Sequence, residues 1–284
     1  GEGGMGAVYR ATDLKLDRPV ALKIMHRQLA AQSQFQRRFQ QEAQAVARLS
    51  HPSIVTIYGF DNRDGRFYII MEYVRGVSLG KYIKQLVERQ QVVKLNETLT
   101  IVAQVADALA YAHRAGVIHR DIKPDNILIK KLETSDRPGE PPLRAVVTDF
   151  GLAKLLEGGI QTQSGTFMGT LPYMSPEQAL AKEIDGRSDI YSLGVVLYQL
   201  ATGRLPFDIK TPTDAVMKHM HETPPQPRSF QPGLPAAVED VILKALAKEP
   251  DDRFQRSADF AAALRRVAAT LSDRETTTFA TEVT

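Results

Sequence analysis

One short segment, residues 119–126 with the sequence HRDIKPDN, constrains the fold more than any other feature of this chain. It holds Asp121, Lys123 and Asn126 close together, and a second acidic residue follows in the triplet Asp149-Phe150-Gly151. A carboxylate that accepts a hydroxyl proton, a cation for phosphate charge and hard oxygen ligands for Mg²⁺ are the groups that phosphoryl transfer needs. The pattern therefore predicts a phosphoryl-transfer site, which the fold must assemble from separate parts of the chain.

The chain begins with a glycine-rich stretch, residues 1–8 with the sequence GEGGMGAV, which fits the pattern G-x-G-x-x-G-x-V. Glycines let backbone N–H groups approach phosphate oxygens closely, because no side chain intervenes. Residues 20–23 read VALK and place Lys23 on a predicted strand. An ordinary glycine-rich hairpin is the alternative, and the joint presence of Val8 and Lys23 at the required positions disfavours it.

Together these motifs resemble the signature set of protein kinases, and the chain is similar in particular to the eukaryotic-like (Hanks-type) serine/threonine kinases of bacteria. The resemblance extends from residue 1 to about residue 267. It implies an α+β, bilobal protein-kinase fold, with a small β-rich N-lobe that has one main helix and a larger α-helical C-lobe. The expected boundaries are residues 1–74 for an N-lobe without its first strand, 75–268 for the C-lobe and 269–284 for a flexible, threonine-rich tail or linker.

Hydrophobic periodicity agrees with two lobes of different structure. Before residue 74, apolar residues alternate or cluster in short, strand-like runs, and one segment between these runs has helical spacing. After residue 76, apolar residues recur at helical spacing. Residues 189–200 are apolar nearly all round, which predicts a helix buried on every side. A proline-rich stretch, residues 138–142, is expected to form a solvated hairpin loop. The expected strands are residues 7–10, 20–25, 54–58 and 67–72.

The resemblance implies a role for each catalytic residue. Asp121 would orient the substrate hydroxyl and accept its proton, while Lys123 would neutralise charge on the transferring phosphoryl group. Thr170 would hydrogen-bond to both of them. Lys23 would bind ATP phosphates and would be held by an ion pair with Glu42.

The implied cofactors are ATP and Mg²⁺. Asn126 and Asp149 would hold the metal through hard oxygen atoms. The adenine would lie between the lobes, against Val8, Ala21 and Leu128. The expected nucleotide-binding residues are Gly1, Glu2, Gly3, Gly4, Met5, Gly6, Val8, Ala21, Lys23, Met71, Glu72, Tyr73, Val74, Leu128 and Asp149.

The implied activity is ATP-dependent transfer of the γ-phosphoryl group to serine or threonine hydroxyls of proteins, including the chain itself. A pseudokinase scaffold is one alternative, but it would need a lost Lys23, Asp121 or Asn126, and all three are present. A small-molecule phosphotransferase of kinase-like fold is another. The activation segment, residues 149–177, with its peptide-binding Gly-Thr motif disfavours that second alternative.

Composition excludes several other classes of protein. The 284 residues include no cysteine, so disulfides, thiolate catalysis and cysteine metal sites are ruled out. The net charge of +3 is spread over interspersed acidic and basic residues, so nucleic-acid binding is not expected. No apolar run reaches the length of a membrane span, so we expect a cytoplasmic chain, with any membrane tether beyond Thr284. His219 and His221 are two positions apart on a predicted helix and do not face one another, so no zinc site is expected there.

Some residues that match the family are expected to be structural. Glu177 and Arg253 would form a buried ion pair, and Asp189 would steady the catalytic segment. His119 would pack in an apolar column that joins the lobes, so its expected role is packing rather than catalysis.

Two segments are expected to be phosphorylated. In residues 161–166 a phosphate could dock on Arg120 and order the loop. Residues 275–279, ETTTF, resemble the motif that such kinases phosphorylate for partners with forkhead-associated domains, and the plain alternative is a polar linker. The resemblance also allows a kinase-domain homodimer. The candidate sites are Thr162, Ser164, Thr166, Thr277 and Thr278.

Overall fold

The computed structural model describes residues 2–3, 6–26, 33–89, 93–135, 137, 140–150 and 170–281. Side chains are described for these residues except in 2–3, 33–39 and 272–281. Several predicted residues therefore lie outside the described residues. They are Gly1, Gly4, Met5, Thr162, Ser164 and Thr166.

The N-terminal part is a five-stranded antiparallel sheet with strand order β1-β2-β3-β5-β4, which agrees with the expected β-rich lobe. Its one described helix, α1, spans Ser33–Ala47. The expected strand at residues 54–58 is wrong in position, because Ile54 makes only an isolated bridge to Val147 and the strand begins at Ile57. The strands are β1 Glu2–Gly3, β2 Gly6–Asp13, β3 Arg18–Met25, β4 Ile57–Arg63 and β5 Arg66–Glu72.

The C-terminal part is mainly helical and adds a small sheet of order β6-β7-β8. Its strands are β6 Val77–Ser78, β7 Ile127–Lys131 and β8 Leu143–Val147. Its helices are α2 Leu79–Glu88, α3 Leu95–Arg114, α4 Pro176–Ala179, α5 Gly186–Thr202, α6 Pro212–His221, α7 Pro227–Phe230, α8 Ala236–Ala245 and α9 Ser257–Thr281.

Helix α5 is the central helix of this part. The Asp185 side chain caps its first turn, and Gly203 ends it in the left-handed conformation with φ 76°. Every residue from Ser188 to Tyr198 is buried. The prediction of a helix buried on all sides is confirmed, and each large apolar side chain contributes roughly 1.5–3 kcal/mol to folding.

Two expectations concern peripheral segments. Helix α9 runs to Thr281, and the flexibility expected from residue 269 onward stays a prediction. The helical spacing of Leu264, Val267 and Leu271 continues into that segment, which contains no proline or glycine to stop a helix. The hairpin insertion is not simply solvated, because Glu140 forms an ion pair with Arg265 of α9 at 3.5 Å. In the part of the chain that the structure describes, no helix is both long and apolar enough to cross a membrane.

Candidate active site

The catalytic segment lies between α3 and β7 and ends in a short 3-10 helix, Pro124–Asn126. Asp121 is its central acceptor. Its Oδ1 accepts a hydrogen bond from Thr170 Oγ1 at 3.0 Å, and its Oδ2 lies 2.9 Å from Asn126 Nδ2 and 2.8 Å from Lys123 Nζ. Lys123 Nζ also donates to Thr170 Oγ1 at 2.8 Å. The structure therefore places three predicted site residues around the carboxylate of a fourth, Asp121, and fixes its orientation.

Asp189 of α5 holds the backbone of this segment. Its Oδ2 accepts from His119 N at 2.9 Å and lies 2.8 Å from His113 Nε2, and its Oδ1 accepts from Arg120 N at 2.8 Å. Burial raises the pKa of the Asp189 carboxyl, but the bonds from His113 and His119 outweigh burial and the net pKa is lowered. These bonds hold Arg120 at φ 67°, a conformation that costs a non-glycine residue about 1–3 kcal/mol. The structural role expected for Asp189 is confirmed.

His119 is fully buried, and both of its ring nitrogens have partners. Nε2 lies 2.8 Å from the Thr148 carbonyl oxygen, which can only accept, so Nε2 carries the proton. Nδ1 then accepts from Asp121 N at 3.2 Å. The ring also contacts Phe150 edge-on, with centroids 4.6 Å apart. His119 therefore orients Asp121 through its backbone and packs against Phe150, as expected.

Lys23 of β3 forms an ion pair with Asp149, with Nζ 2.7 Å from Oδ1. Burial raises the pKa of the Asp149 carboxyl, and the Lys23 ammonium more than offsets this, so the pKa is lowered and the carboxylate stays ionised. Glu42 of α1 is half-buried, and its expected pairing with Lys23 stays a prediction. The sequence did not predict the ion pair between Lys23 and Asp149, although Lys23 was predicted to bind the ATP phosphates and Asp149 the metal beside them.

Asn126 and Asp149 provide the oxygen donors for a metal. Asn126 Nδ2 donates to both the backbone oxygen and Oδ2 of Asp121, at 2.8 and 2.9 Å, so the amide oxygen is the atom left to bind a cation. Within the described residues no group of three or more His, Cys, Asp or Glu side chains could hold a metal. Two protein ligands completed by phosphates and water are typical of Mg²⁺. The donor set therefore fits Mg²⁺ bound together with a nucleotide.

The predicted adenine site has an apolar lining from both lobes. Val8 of β2, Ala21 of β3 and Leu128 of β7 pack against a buried cluster that includes Met71 and Val74. Half-buried Glu72 and Tyr73 lie between these last two. Gly6 is required at the edge of the cleft, because a Cβ there would collide with the backbone of Ile24.

Farther from the cleft, a second expected ion pair supports the C-lobe. Arg253, which is 2% exposed, makes two bonds to Glu177, with Nη1 2.8 Å from Oε1 and Nη2 2.9 Å from Oε2. Burial raises the pKa of the Glu177 carboxyl, and the Arg253 bonds reverse this and lower it. The predicted buried pair is confirmed.

Comparison with known proteins agrees with this geometry. Residues 1–264 match the family model described as protein kinase domain. Serine/threonine-protein kinase PrkC of Bacillus subtilis is 41% identical over 265 residues, which cover 93% of this chain and 39% of that protein. Serine/threonine-protein kinase PknB of Mycobacterium tuberculosis is 39% identical over 273 residues, which cover 94% of this chain and 41% of that protein.

Among solved structures, the Mycobacterium tuberculosis PknI kinase domain superposes with a TM-score of 0.72 at 31% identity, covering 95% of this chain and 93% of that one. The fold and the site thus define a protein kinase. The chain belongs to the protein kinase domain family, within the eukaryotic-like serine/threonine kinases of bacteria. It spans about two fifths of the length of the curated relatives it matches.

Proposed function

We propose that this chain is an ATP- and Mg²⁺-dependent protein serine/threonine kinase that phosphorylates proteins, including itself, in bacterial signalling. The arrangement of Asp121, Lys123 and Thr170 supports the proposal most strongly. One carboxylate, one ammonium and one hydroxyl lie within 2.8–3.0 Å of each other, which supports a role for this group in positioning an acceptor hydroxyl against the γ-phosphate. Such preorganised charge is the main source of rate in phosphoryl transfer.

The mechanism follows from these contacts. Asp121 accepts a hydrogen bond from the substrate hydroxyl and takes its proton as the oxygen attacks the γ-phosphorus. The bond from the γ-phosphorus to the bridging oxygen breaks, and the electron pair leaves with ADP. Lys123 neutralises charge on the transferring group, and Lys23 binds the remaining phosphates. Bound Mg²⁺ would neutralise phosphate charge from the oxygens of Asn126 and Asp149.

The class of acceptor tests this function. Wild-type protein with labelled ATP should phosphorylate serine and threonine of a generic basic protein, and Asp121→Asn should not. Asp125→Asn is a matched control, because Asp125 is exposed in the same segment. Phosphoamino-acid analysis reads out the product. Transfer to free small alcohols in preference to protein would contradict the proposal.

We also infer that phosphorylation of Thr162, Ser164 or Thr166 activates the enzyme. Arg120 directly precedes the proposed base, and a phosphate docked on its guanidinium would order the segment by charge-assisted hydrogen bonds. Mass mapping after incubation with ATP should find phosphate in this segment. Full activity in a variant with all three residues changed to alanine would rule out the idea.

Partners of the phosphorylated chain form a separate proposal. Phosphate on Thr277 or Thr278 would offer a dianion to an arginine-lined forkhead-associated domain. Capture by such a domain should require ATP treatment, and equal capture after phosphatase treatment would exclude the interaction. We also propose a kinase-domain homodimer, which sedimentation would detect. A membrane tether beyond Thr284 is a further proposal, which fractionation of the full-length protein would test.

A further inference from the structure

A buried cluster connects helix α6 to the segment that begins at Thr170. At its centre is His219 of α6, which is fully buried. Its Nε2 lies 3.0 Å from the carbonyl oxygen of Leu171, and its Nδ1 lies 3.1 Å from the hydroxyl of Tyr191 on α5. Leu171 begins the 3-10 helix Leu171–Tyr173, directly after Thr170. One imidazole thus joins the central helix to the chain segment next to the active site.

The direction of both hydrogen bonds follows from the partners. A carbonyl oxygen only accepts, so Nε2 of His219 carries the proton and donates to Leu171. Nδ1 then accepts from the Tyr191 hydroxyl. The rings of Tyr191 and Phe207 pack edge-on against the imidazole, with centroids 5.8 and 5.3 Å away, and fix its orientation. Burial also lowers the pKa of His219 to about 4, so the ring is neutral at physiological pH and keeps this pattern.

Helix α6 is itself fixed in place. Lys248 donates from Nζ to the backbone oxygens of Lys218 and His219, at 3.2 and 2.9 Å, and so binds the end of the helix. One turn earlier, fully buried Ala215 packs in the same apolar cluster as Leu171 and Met174. Two side chains on one face of α6 therefore contact the same segment.

Thr170, which directly precedes Leu171, connects this buried cluster to the catalytic residues. The Thr170 hydroxyl lies 2.8 Å from Lys123 Nζ and 3.0 Å from Asp121 Oδ1, so a shift of the Leu171 carbonyl displaces a group that bridges the base and the cation. We propose that His219 is a positioning residue, which fixes Leu171 and thereby holds the Thr170 hydroxyl between Asp121 and Lys123. This inference rests on the proposed kinase activity.

The test compares substitutions at His219 in one protein-phosphorylation assay. His219→Phe keeps a ring and removes the donor to Leu171, so kcat on a protein substrate should fall roughly tenfold, since small displacements of reacting groups cost rate. KM for ATP should stay unchanged, because the adenine site lies on other elements. His219→Gln keeps a donor of similar reach and should recover most of kcat. If His219→Phe does not fold, His219→Gln and His219→Asn replace it, because the shorter asparagine cannot reach Leu171.

Tyr198→Phe is the matched control. Tyr198 is a fully buried residue on the same helix as Tyr191, and its hydroxyl donates to Pro225 O at 3.1 Å, away from Leu171. Its kcat should equal that of wild type even if its melting temperature falls. A loss of kcat in Tyr198→Phe as large as that in His219→Phe would overturn the inference. Wild-type kcat in His219→Phe would also overturn it. If the glutamine and asparagine variants are used instead, equal kcat for the two would overturn it.

A double-mutant cycle shows whether His219 acts through Thr170. Adding His219→Phe to Thr170→Val should cause no further loss of kcat, because the hydroxyl that His219 positions is already gone. Full additivity of the two losses would contradict the proposal. Wild-type protein that does not phosphorylate proteins in this assay would instead contradict the proposed function, so the two failures are distinguishable.

Discussion

Replacing Asp189 by asparagine tests how the catalytic segment is held. The carboxylate of Asp189 is 1% exposed and takes three hydrogen bonds, from His119 N, Arg120 N and His113 Nε2. Asparagine has one acceptor oxygen and one NH₂ group. Whichever way the amide turns, its NH₂ group faces at least one backbone N–H, so two donors meet where a donor and an acceptor met before.

The magnitude follows from these contacts. Losing one hydrogen bond to a charged acceptor costs about 1.5–3 kcal/mol, and leaving a buried N–H unsatisfied costs about 1–3 kcal/mol more. We therefore expect the free energy of unfolding to fall by about 3–5 kcal/mol. For a chain of this size the melting temperature should drop by roughly 10 °C. Because the same N–H groups fix the backbone before Asp121, kcat should also decrease.

Urea unfolding followed by circular dichroism measures the change, with kcat on a protein substrate as the second readout. Asp185→Asn on the same helix is the control. Asp185 is exposed and caps the first turn through Arg187 N, where asparagine caps about as well as aspartate. Asparagine also loses the ion pair with the Arg187 guanidinium, which is worth at most about 1 kcal/mol at an exposed site, so the total loss should be about 1 kcal/mol or less. Equal unfolding free energies for the two variants would refute the reasoning about Asp189.

Three further predictions concern single side chains. The pKa of His219 in the folded protein, about 4, lies below its ordinary value of 6.5, so the unfolded chain takes up the proton first as pH falls. About 3 kcal/mol of stability that is present above pH 6.5 should therefore be lost between pH 6.5 and pH 4. Unfolding free energies from urea titrations should therefore fall by about 3 kcal/mol more in wild type than in His219→Gln across this range, because the buried carboxyls contribute equally to both proteins. Asp149→Asn should raise the Mg²⁺ concentration needed for half-maximal rate, because it removes a hard anionic ligand, and an unchanged titration would count against that role. Thr170→Val should lower kcat about a hundredfold while Thr170→Ser stays near wild type, and steady-state rates that do not separate the two variants would argue against the bridging hydroxyl.

The grouping of Asp121, Lys123 and Asn126 was predictable because the three lie in one short segment whose spacing limits how far apart they can be. The bond from His219 to Leu171 was not predictable. It joins residues far apart in sequence, and the pattern around His219 gives no sign of which helix face is buried. The extent of helix α9 was not predicted, because the polar, threonine-rich composition after residue 269 was interpreted as a linker although that segment contains no proline or glycine.

The contact of Glu140 with Arg265 was missed for a related reason. The loop between β7 and β8 is rich in proline, which favours an exposed turn, and only the tertiary structure brings α9 close enough for an ion pair. Local patterns therefore predicted the elements and the catalytic segment. Contacts between distant side chains needed the structure.

The rate of phosphoryl transfer in Lys23→Met and Asp121→Asn, measured beside wild type at saturating ATP, tests the central claim most directly. Each change removes charge at the reacting centre and leaves the apolar packing intact. We predict that both variants remain folded and lose transfer by about a thousandfold or more. The urea midpoint of Lys23→Met should be the lower of the two, because Asp149 loses its ion-pair partner. Substantial activity in both folded variants would contradict the assignment of this site.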